Sequence, residues 1–102
     1  MRAGKRKSIP KSLRNKVWDI TIGKQQGVGP CYCCKNEIDS KNFECGHIVA
    51  VKDGGTNTLN NLKPICATCN KSMGTQNLYR FKAIYFPEYQ PLTRWYWMFL
   101  GN

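Results

Sequence analysis

The apolar residues near the start of the chain recur three or four positions apart, which is the spacing of one face of an α-helix. They are Ile9, Leu13, Val17 and Ile20, with Trp18 beside them. Ser8 followed by Pro10 is typical of a helix start, with the serine as N-cap and the proline in the first turn. Gly23 is typical of a helix end. The pattern therefore predicts an amphipathic helix that begins after Ser8 and ends near Gly23.

Short extended segments and a turn are predicted for the middle of the chain. Residues 42–45 are typical of a short strand, and the β-branched side chains within residues 47–52 favour a partner strand or an extended continuation. The segment from Asp53 to Asn57 contains two adjacent glycines, Gly54 and Gly55. Such a segment favours a turn with positive φ. Together these segments predict a central hairpin.

Helical segments are predicted for the last third of the chain. Residues 69–73 favour a short helix, and the apolar positions from Leu78 to Tyr85 favour another helix before Pro87. The tail at residues 91–100 is rich in aromatic side chains and predicts one or two last helical turns. We expect these aromatic side chains to pack over the core; base stacking or a dimer contact is the alternative interpretation.

The length of 102 residues predicts a single domain, and we expect its fold to be α+β. We expect residues 1–8 to form a basic flexible tail and residues 9–102 to form the domain. A chain of this size buries only about 60–65% of its unfolded surface, so its core needs additional stabilisation.

Four of the six cysteines form two Cys-x-x-Cys pairs, the spacing with which one tight turn supplies two ligands of tetrahedral zinc. The pairs are Cys31 with Cys34 and Cys66 with Cys69. No apolar signal segment follows Met1, so we expect a cytoplasmic, intracellular protein with reduced thiols, which favours zinc over disulfides. Cys33 could replace a member of the first pair if the turn shifted; otherwise Cys33 and Cys45 are expected to be buried small side chains.

The charge of the chain favours an anionic partner. Sixteen lysines and arginines against six acidic residues give a net charge of +10, and such an excess most often indicates nucleic acid. The candidate DNA contacts are Lys5, Arg6, Lys7, Lys11, Arg14, Lys52, Lys63, Lys71, Arg80 and Lys82. No apolar run approaches the ~20 residues of a membrane span, so we expect no membrane partner.

One run of residues surrounds the only histidine of the chain. It begins with Gly46-His47, continues through Gly54-Gly55, and closes with Asn61-Leu62, Cys66-Ala-Thr-Cys69 and Asn70. In this order the residues resemble the HNH endonuclease signature, in the zinc-stapled branch of the ββα-metal nucleases, over about residues 31–75. The resemblance implies a small ββα-metal fold with a Cys₄ zinc site, flanked by N- and C-terminal helices that lie outside the signature.

The resemblance also implies roles for three residues. His47 matches the general base that deprotonates the attacking water, Asn61 matches the asparagine that holds the loop and orients the base, and Asn70 matches the ligand of a catalytic Mg²⁺ or Mn²⁺. A backbone carbonyl is expected to fix the tautomer of the His47 imidazole. The structural alternatives are a packed histidine, a turn asparagine at position 61 and a helix N-cap at position 70.

The chain departs from the family pattern at Gly46. Many members carry Asp or His there as a second metal ligand. The resemblance then implies that Asn70 is the single protein ligand, with phosphate oxygens and water completing the shell. Glu44 or Asp39 is the alternative second ligand.

The resulting hypothesis is a metal-dependent DNA endonuclease that leaves 5′-phosphate and 3′-hydroxyl ends. The alternatives are a non-catalytic zinc module that binds DNA or RNA, and a zinc-dependent protein-interaction domain whose contact patch is the aromatic tail. A double-strand cut by one active site would need two copies or two visits, so a homodimer is one expectation. By the same resemblance, a phage, a virus or a mobile element is the expected source of so small a member.

Overall fold

The computed structural model describes residues 8–89 of the 102-residue chain. The helices and strands are α1 (Lys11–Thr21), β1 (Val28–Pro30), β2 (Glu37–Asp39), β3 (Glu44–His47), β4 (Leu62–Ile65), α2 (Ala67–Met73) and α3 (Leu78–Tyr85), with single 3₁₀ turns at Val51–Asp53, Leu59–Asn61 and Pro87–Tyr89. Within the described range the predicted α+β class is confirmed. The predicted basic tail, apart from Ser8, and the predicted last helical turns at residues 91–100 lie outside that range.

Helix α1 confirms the first amphipathic segment but begins later than Ser8. Its N-cap is Pro10, in an extended conformation (φ −59°, ψ 145°), and no side chain caps the helix. The prediction of Ser8 as N-cap is therefore wrong: the Pro10 carbonyl accepts the first helical bond, from the Arg14 N–H at 3.0 Å. The end near Gly23 is confirmed, since its N–H donates to the Trp18 carbonyl at 3.1 Å.

Two antiparallel hairpins form the sheets. Strands β1 and β2 pair with Val28 opposite Asp39, and β3 and β4 pair with Glu44 opposite Ile65 and His47 opposite Leu62. The predicted strand at residues 42–45 appears two residues later, as β3. The predicted partner strand at residues 47–52 is wrong, because β3 pairs with β4 and Val51–Asp53 forms a 3₁₀ turn.

The hydrophobic core lies where α1 crosses the β3–β4 hairpin. Val17 and Trp18 of α1 are buried together with Leu62 and Ile65 of β4. The Trp18 ring lies 5.1 Å from that of Phe43, and its Nε1–H donates to the Gln26 carbonyl at 2.7 Å. Helices α2 and α3 close the core with Met73, Leu78 and Phe81. This packing gives the hairpin a rigid inner face.

Gly46 occupies the inner face of β3, where a side chain would not fit. A Cβ at this position would lie 2.5 Å from Ile65 Cδ1 and 3.0 Å from Leu78 Cδ1. Side chains alternate along a strand, so its neighbours Cys45 and His47 point to the opposite face. The residue type at position 46 therefore follows from core packing in this chain.

No helix within the described residues is long and apolar enough to cross a membrane.

Candidate active site

Four cysteine sulfurs converge beside the β3–β4 hairpin. The Sγ atoms of Cys31, Cys34, Cys66 and Cys69 all lie within 4.8 Å of one another. The Sγ atoms of Cys34 and Cys66 are 3.8 Å apart, which matches the roughly 3.8 Å edge of a tetrahedron with Zn–S bonds of about 2.3 Å. The cluster therefore could hold a metal ion such as zinc, and its members are those of the two predicted pairs.

Backbone amides orient the sulfurs of this cluster. The Cys66 N–H donates to Cys31 Sγ at 3.3 Å, and the Cys69 N–H donates to Cys66 Sγ at 3.4 Å. Cys66 is also the N-cap of α2, so the same thiol caps the helix and belongs to the cluster. The bond to Cys31 Sγ favours the thiolate form of Cys31, which is the form that binds metal.

The two remaining cysteines lie outside the cluster. A hydrogen bond from the Cys33 thiol, opposed by burial, lowers the pKa of Cys31 to about 4, and the same bond together with burial raises the pKa of Cys33. These opposite shifts make Cys33 the donor and Cys31 the acceptor in this bond. Cys33 is fully buried as predicted, but Cys45 is only half-buried, because it faces a cleft rather than the core.

His47 ends strand β3 with its imidazole held from one side. Its Nε2–H donates to Asn57 Oδ1 at 2.7 Å, in the tautomer that makes the amide oxygen the acceptor. The expected backbone carbonyl is therefore replaced by a side-chain amide from the Gly-Gly loop. This leaves Nδ1 as the ring nitrogen with a lone pair.

The loop that carries Asn57 is tied together by Asn61. The Asn61 amide accepts from the Val49 N–H at 2.9 Å and donates to the carbonyls of Val49 at 3.1 Å and Thr56 at 2.9 Å. These bonds use the backbone groups of Val49 that a strand ladder would need, which explains why β3 does not continue beyond His47. Asn61 therefore holds the loop, whereas the hydrogen-bond partner of the His47 imidazole is Asn57.

Two glycines shape the same loop. Gly54 has φ +96°, as the sequence predicts, so that an L side chain there would be strained. Gly55 is required by close approach: a Cβ there would lie 1.7 Å from the Val49 carbonyl oxygen.

His47 and Asn70 line one cleft of about 590 Å³. Helix α2 carries Asn70 one turn after Cys66, and β3 carries His47. The remaining lining residues are Ile9, Cys45, Ala50, Val51, Lys52, Met73, Gly74 and Thr75. Within residues 8–89 no side-chain hydrogen bond engages the half-buried Asn70 amide, so its oxygen is available to a ligand. The candidate general base and the candidate metal ligand thus line the same cleft.

Among residues 8–89, no carboxylate lines the cleft. Glu44 and Asp39, the expected alternatives for the residue lacking at Gly46, do not line it. Asp39 accepts from the Lys41 N–H at 2.9 Å and from Asn42 Nδ2, and these bonds, with that of Lys41 as the largest effect, lower its pKa. Within the described residues, the side chains that line the cleft and could bind a cation are therefore those of Asn70, His47 and Thr75, together with the soft sulfur atoms of Cys45 and Met73.

The predicted DNA contacts lie on different surfaces. Lys52 lines the cleft, and Lys71 and Arg80 are exposed on α2 and α3. Lys63 is half-buried, with Nζ 5.2 Å from the Tyr32 ring centroid. Lys82 is only 1% exposed and its Nζ donates to the Tyr89 carbonyl at 2.5 Å; this placement does not fit a DNA contact.

The structure also places the remaining basic candidates. Lys11 and Arg14 line a separate groove beside α1. Lys5, Arg6 and Lys7 lie outside the described residues.

Sequence reasoning assigned Asn57 only to a turn. Asn57 lies ten positions from His47, and no sequence motif indicates that such a pair forms a contact. The two residues meet because Asn61 holds the intervening loop in a folded conformation. The available signal was its place directly after the Gly-Gly turn, where an amide can reach back along the hairpin.

Comparison with known proteins gives one family. A family model described as HNH endonuclease matches residues 31–83, which is more than half of the chain. The match includes both cysteine pairs, the β3–β4 hairpin, α2 and most of α3. Neither the curated proteins nor the solved structures contain a significant match to this chain.

Cys34→Ser is expected to abolish stoichiometric metal binding, because three thiolates and a hydroxyl no longer complete a tetrahedral sulfur shell. Metal content measured by mass spectrometry after dialysis checks this, with about one ion per chain expected in the unsubstituted protein. Cys45→Ser is the matched control, since Cys45 is also half-buried but lies outside the cluster. Retention of the full metal content by Cys34→Ser would contradict the assignment.

Proposed function

This chain belongs to the HNH endonuclease family, and from that premise we propose that it is a metal-dependent DNA endonuclease that hydrolyses phosphodiester bonds. His47 is the general base, and Asn70 is the protein ligand of a catalytic Mg²⁺ or Mn²⁺. Zinc in the four-cysteine cluster has a structural role, since four thiolates leave no open coordination position. The products are 5′-phosphate and 3′-hydroxyl ends.

The observation that carries the proposal is the shared cleft of His47 and Asn70. Imidazole is the side chain most often used as a general base at neutral pH, and an amide oxygen suits a hard divalent cation. The cleft is open to solvent, and Lys52 at its rim adds positive charge. These features match what attack of water on a phosphodiester requires.

The donor set fits a cation that keeps most of its water. Mg²⁺ commonly binds through one or two protein ligands and completes its shell with water and substrate phosphate oxygens, and the cleft offers one amide oxygen. The thiol of Cys45 is too soft to be a good ligand for Mg²⁺. When bound by Asn70, the cation would stabilise negative charge on the phosphate and on the leaving 3′-oxygen.

The proton transfer belongs to His47. Its Nδ1 accepts a proton from water while the water oxygen forms a bond to phosphorus and the bond from phosphorus to the 3′-oxygen breaks. The leaving oxygen takes a proton from solvent and becomes the 3′-hydroxyl. The Nε2–H bond to Asn57 Oδ1 supports this assignment, since it keeps the lone pair on Nδ1.

Asn61 acts indirectly, through the loop that carries Asn57. Its bond to the Thr56 carbonyl fixes the residue before Asn57, so Asn61 positions the amide that positions the base. We therefore assign Asn61 and Asn57 as positioning residues, and His47 and Asn70 as the groups that meet substrate and cation.

His47→Ala is expected to reduce the rate of plasmid nicking in Mg²⁺ or Mn²⁺ by about 10²–10⁴-fold, because the reaction loses its general base. Thr75→Ala is the matched control: Thr75 lines the same cleft without an assigned role. DNA binding and metal content in the cysteine cluster should be unchanged in both variants. Equal nicking by His47→Ala and Thr75→Ala would contradict the assignment, and salt-sensitive binding without any nicking would favour a non-catalytic zinc module.

Asn57→Asp is expected to move the acidic limb of the nicking pH profile to higher pH, because a carboxylate stabilises the imidazolium and so raises the pKa of His47. Asn60→Asp is the control, since it adds the same charge to the same loop without contacting the imidazole. His47 is the only histidine, so ¹⁵N NMR of the ring reads its tautomer directly. Identical ring-nitrogen shifts in the unsubstituted protein and Asn57→Ala would contradict the positioning role.

A further inference from the structure

A groove beside α1, separate from the cleft of His47, contains basic residues that have no role in the proposed reaction. Its volume is about 660 Å³. Its walls are α1, the turn that follows α1, and the turn between β2 and β3. Among the described residues, the cations that line it are Lys11, Arg14, Lys24 and Lys41, and the one carboxylate is that of Asp19.

We propose that this groove binds the phosphate backbone of duplex DNA at positions outside the scissile phosphate. The inference rests on the proposed function, which it extends by naming a second contact surface for the same substrate. The ligand class is a run of phosphodiesters, contacted without base recognition.

The charge of the groove is not neutralised within the protein. Within residues 8–89, none of its four cations forms an ion pair with a carboxylate. Lys11, Lys24 and Lys41 are exposed, and Lys11 and Arg14 lie three positions apart on one face of α1. Unpaired cations concentrated in a concave surface attract polyanions, and each phosphate they neutralise releases bound counterions.

The groove is also ordered before any ligand binds. The Arg14 guanidinium carbon lies 4.1 Å from the ring centroid of Phe43, which is itself only 3% exposed. This stacking restricts the Arg14 side chain but leaves the N–H groups of its guanidinium able to donate to a ligand. A guanidinium that is ordered beforehand loses less conformational entropy when it binds phosphate.

Hydrogen bonds fix both turns that form the walls. The Trp18 Nε1–H bond to the Gln26 carbonyl ties the first turn to α1. The Asp39 carboxylate accepts from the Lys41 N–H at 2.9 Å and from Asn42 Nδ2 at 3.2 Å. Lys24 and Lys41 therefore extend from ordered backbone on opposite walls.

Helix α1 connects this groove to the cleft of His47. Ile9, just before α1, lines the cleft, whereas Lys11 and Arg14 line the groove. Arg14 also lies near Cys45, a cleft residue: burial raises the pKa of Cys45, and the charge of Arg14 opposes this rise. The two concave surfaces are thus neighbours across one helix end, so that one DNA backbone can follow both.

The test is the salt dependence of binding. Affinity for a fluorescent duplex is measured by anisotropy between about 50 and 200 mM salt, a range that resolves counterion release, without added Mg²⁺ or Mn²⁺. Lys24→Gln/Lys41→Gln should reduce the magnitude of the slope of log K against log salt by about 1.8, since each lost phosphate contact removes about 0.9. The control Lys16→Gln/Lys35→Gln removes the same charge from exposed residues outside the groove.

The outcomes separate the groove from the nuclease. A smaller slope in the groove variant with an unchanged slope in the control supports the groove, whether or not the protein nicks DNA. Equal slopes in both variants overturn the groove, even when the protein nicks DNA normally. Failure to nick with the reduced slope retained would overturn the nuclease proposal alone.

Discussion

The convergence of four thiols is the constraint on which the rest of the structure depends. The cluster joins the Cys31–Cys34 turn to the Cys66–Cys69 segment, where β4 ends and α2 starts, so that two separate segments meet within 4.8 Å. A core this small gives the domain only a small free energy of unfolding. Four thiols close together do not increase it unless they bind a metal. A bound ion such as zinc would convert this crowding into a crosslink and couple metal affinity to folding. Because α2 carries Asn70 and begins at Cys66, the same crosslink fixes one side of the proposed catalytic cleft.

The other side of the cleft depends on the Gly-Gly loop. Asn61 ties Val49 to Thr56, and Asn57 then holds the imidazole of His47. The loop forms no strand, because its backbone groups bond to an amide side chain instead of a neighbouring strand. A metal ion in the cysteine cluster would therefore position Asn70 through α2, whereas amide hydrogen bonds position His47 at the end of β3.

Local patterns predicted most of the secondary structure. Helix α1, the Gly54 turn, α2 and α3 follow from apolar spacing, glycine conformation and the short segments between turn residues. Two of the errors have identifiable physical causes. Residues 47–52 have the composition of a strand, but the Asn61 side chain takes the bonds of Val49. Serine is a common N-cap residue, but the helix begins two residues after Ser8, at the carbonyl of Pro10.

Residue spacing predicted the cysteine cluster, but not the hydrogen-bond partners of the proposed catalytic residues. Cys-x-x-Cys spacing reflects a local turn and can be recognised directly. The His47–Asn57 bond depends on a folded loop of ten residues and has no comparable signature. Lys82 is a second example: its charge predicted an exposed DNA contact, whereas its position on α3 buries the side chain against the Tyr89 carbonyl.

The most direct test of the central claim is a nicking assay with end-group analysis on protein whose cysteine cluster is loaded with metal. The account predicts that supercoiled plasmid is relaxed only after Mg²⁺ or Mn²⁺ is added, and that every new end carries a 5′-phosphate and a 3′-hydroxyl. Nicking at full rate without an added divalent ion, or ends with a 3′-phosphate, would contradict it.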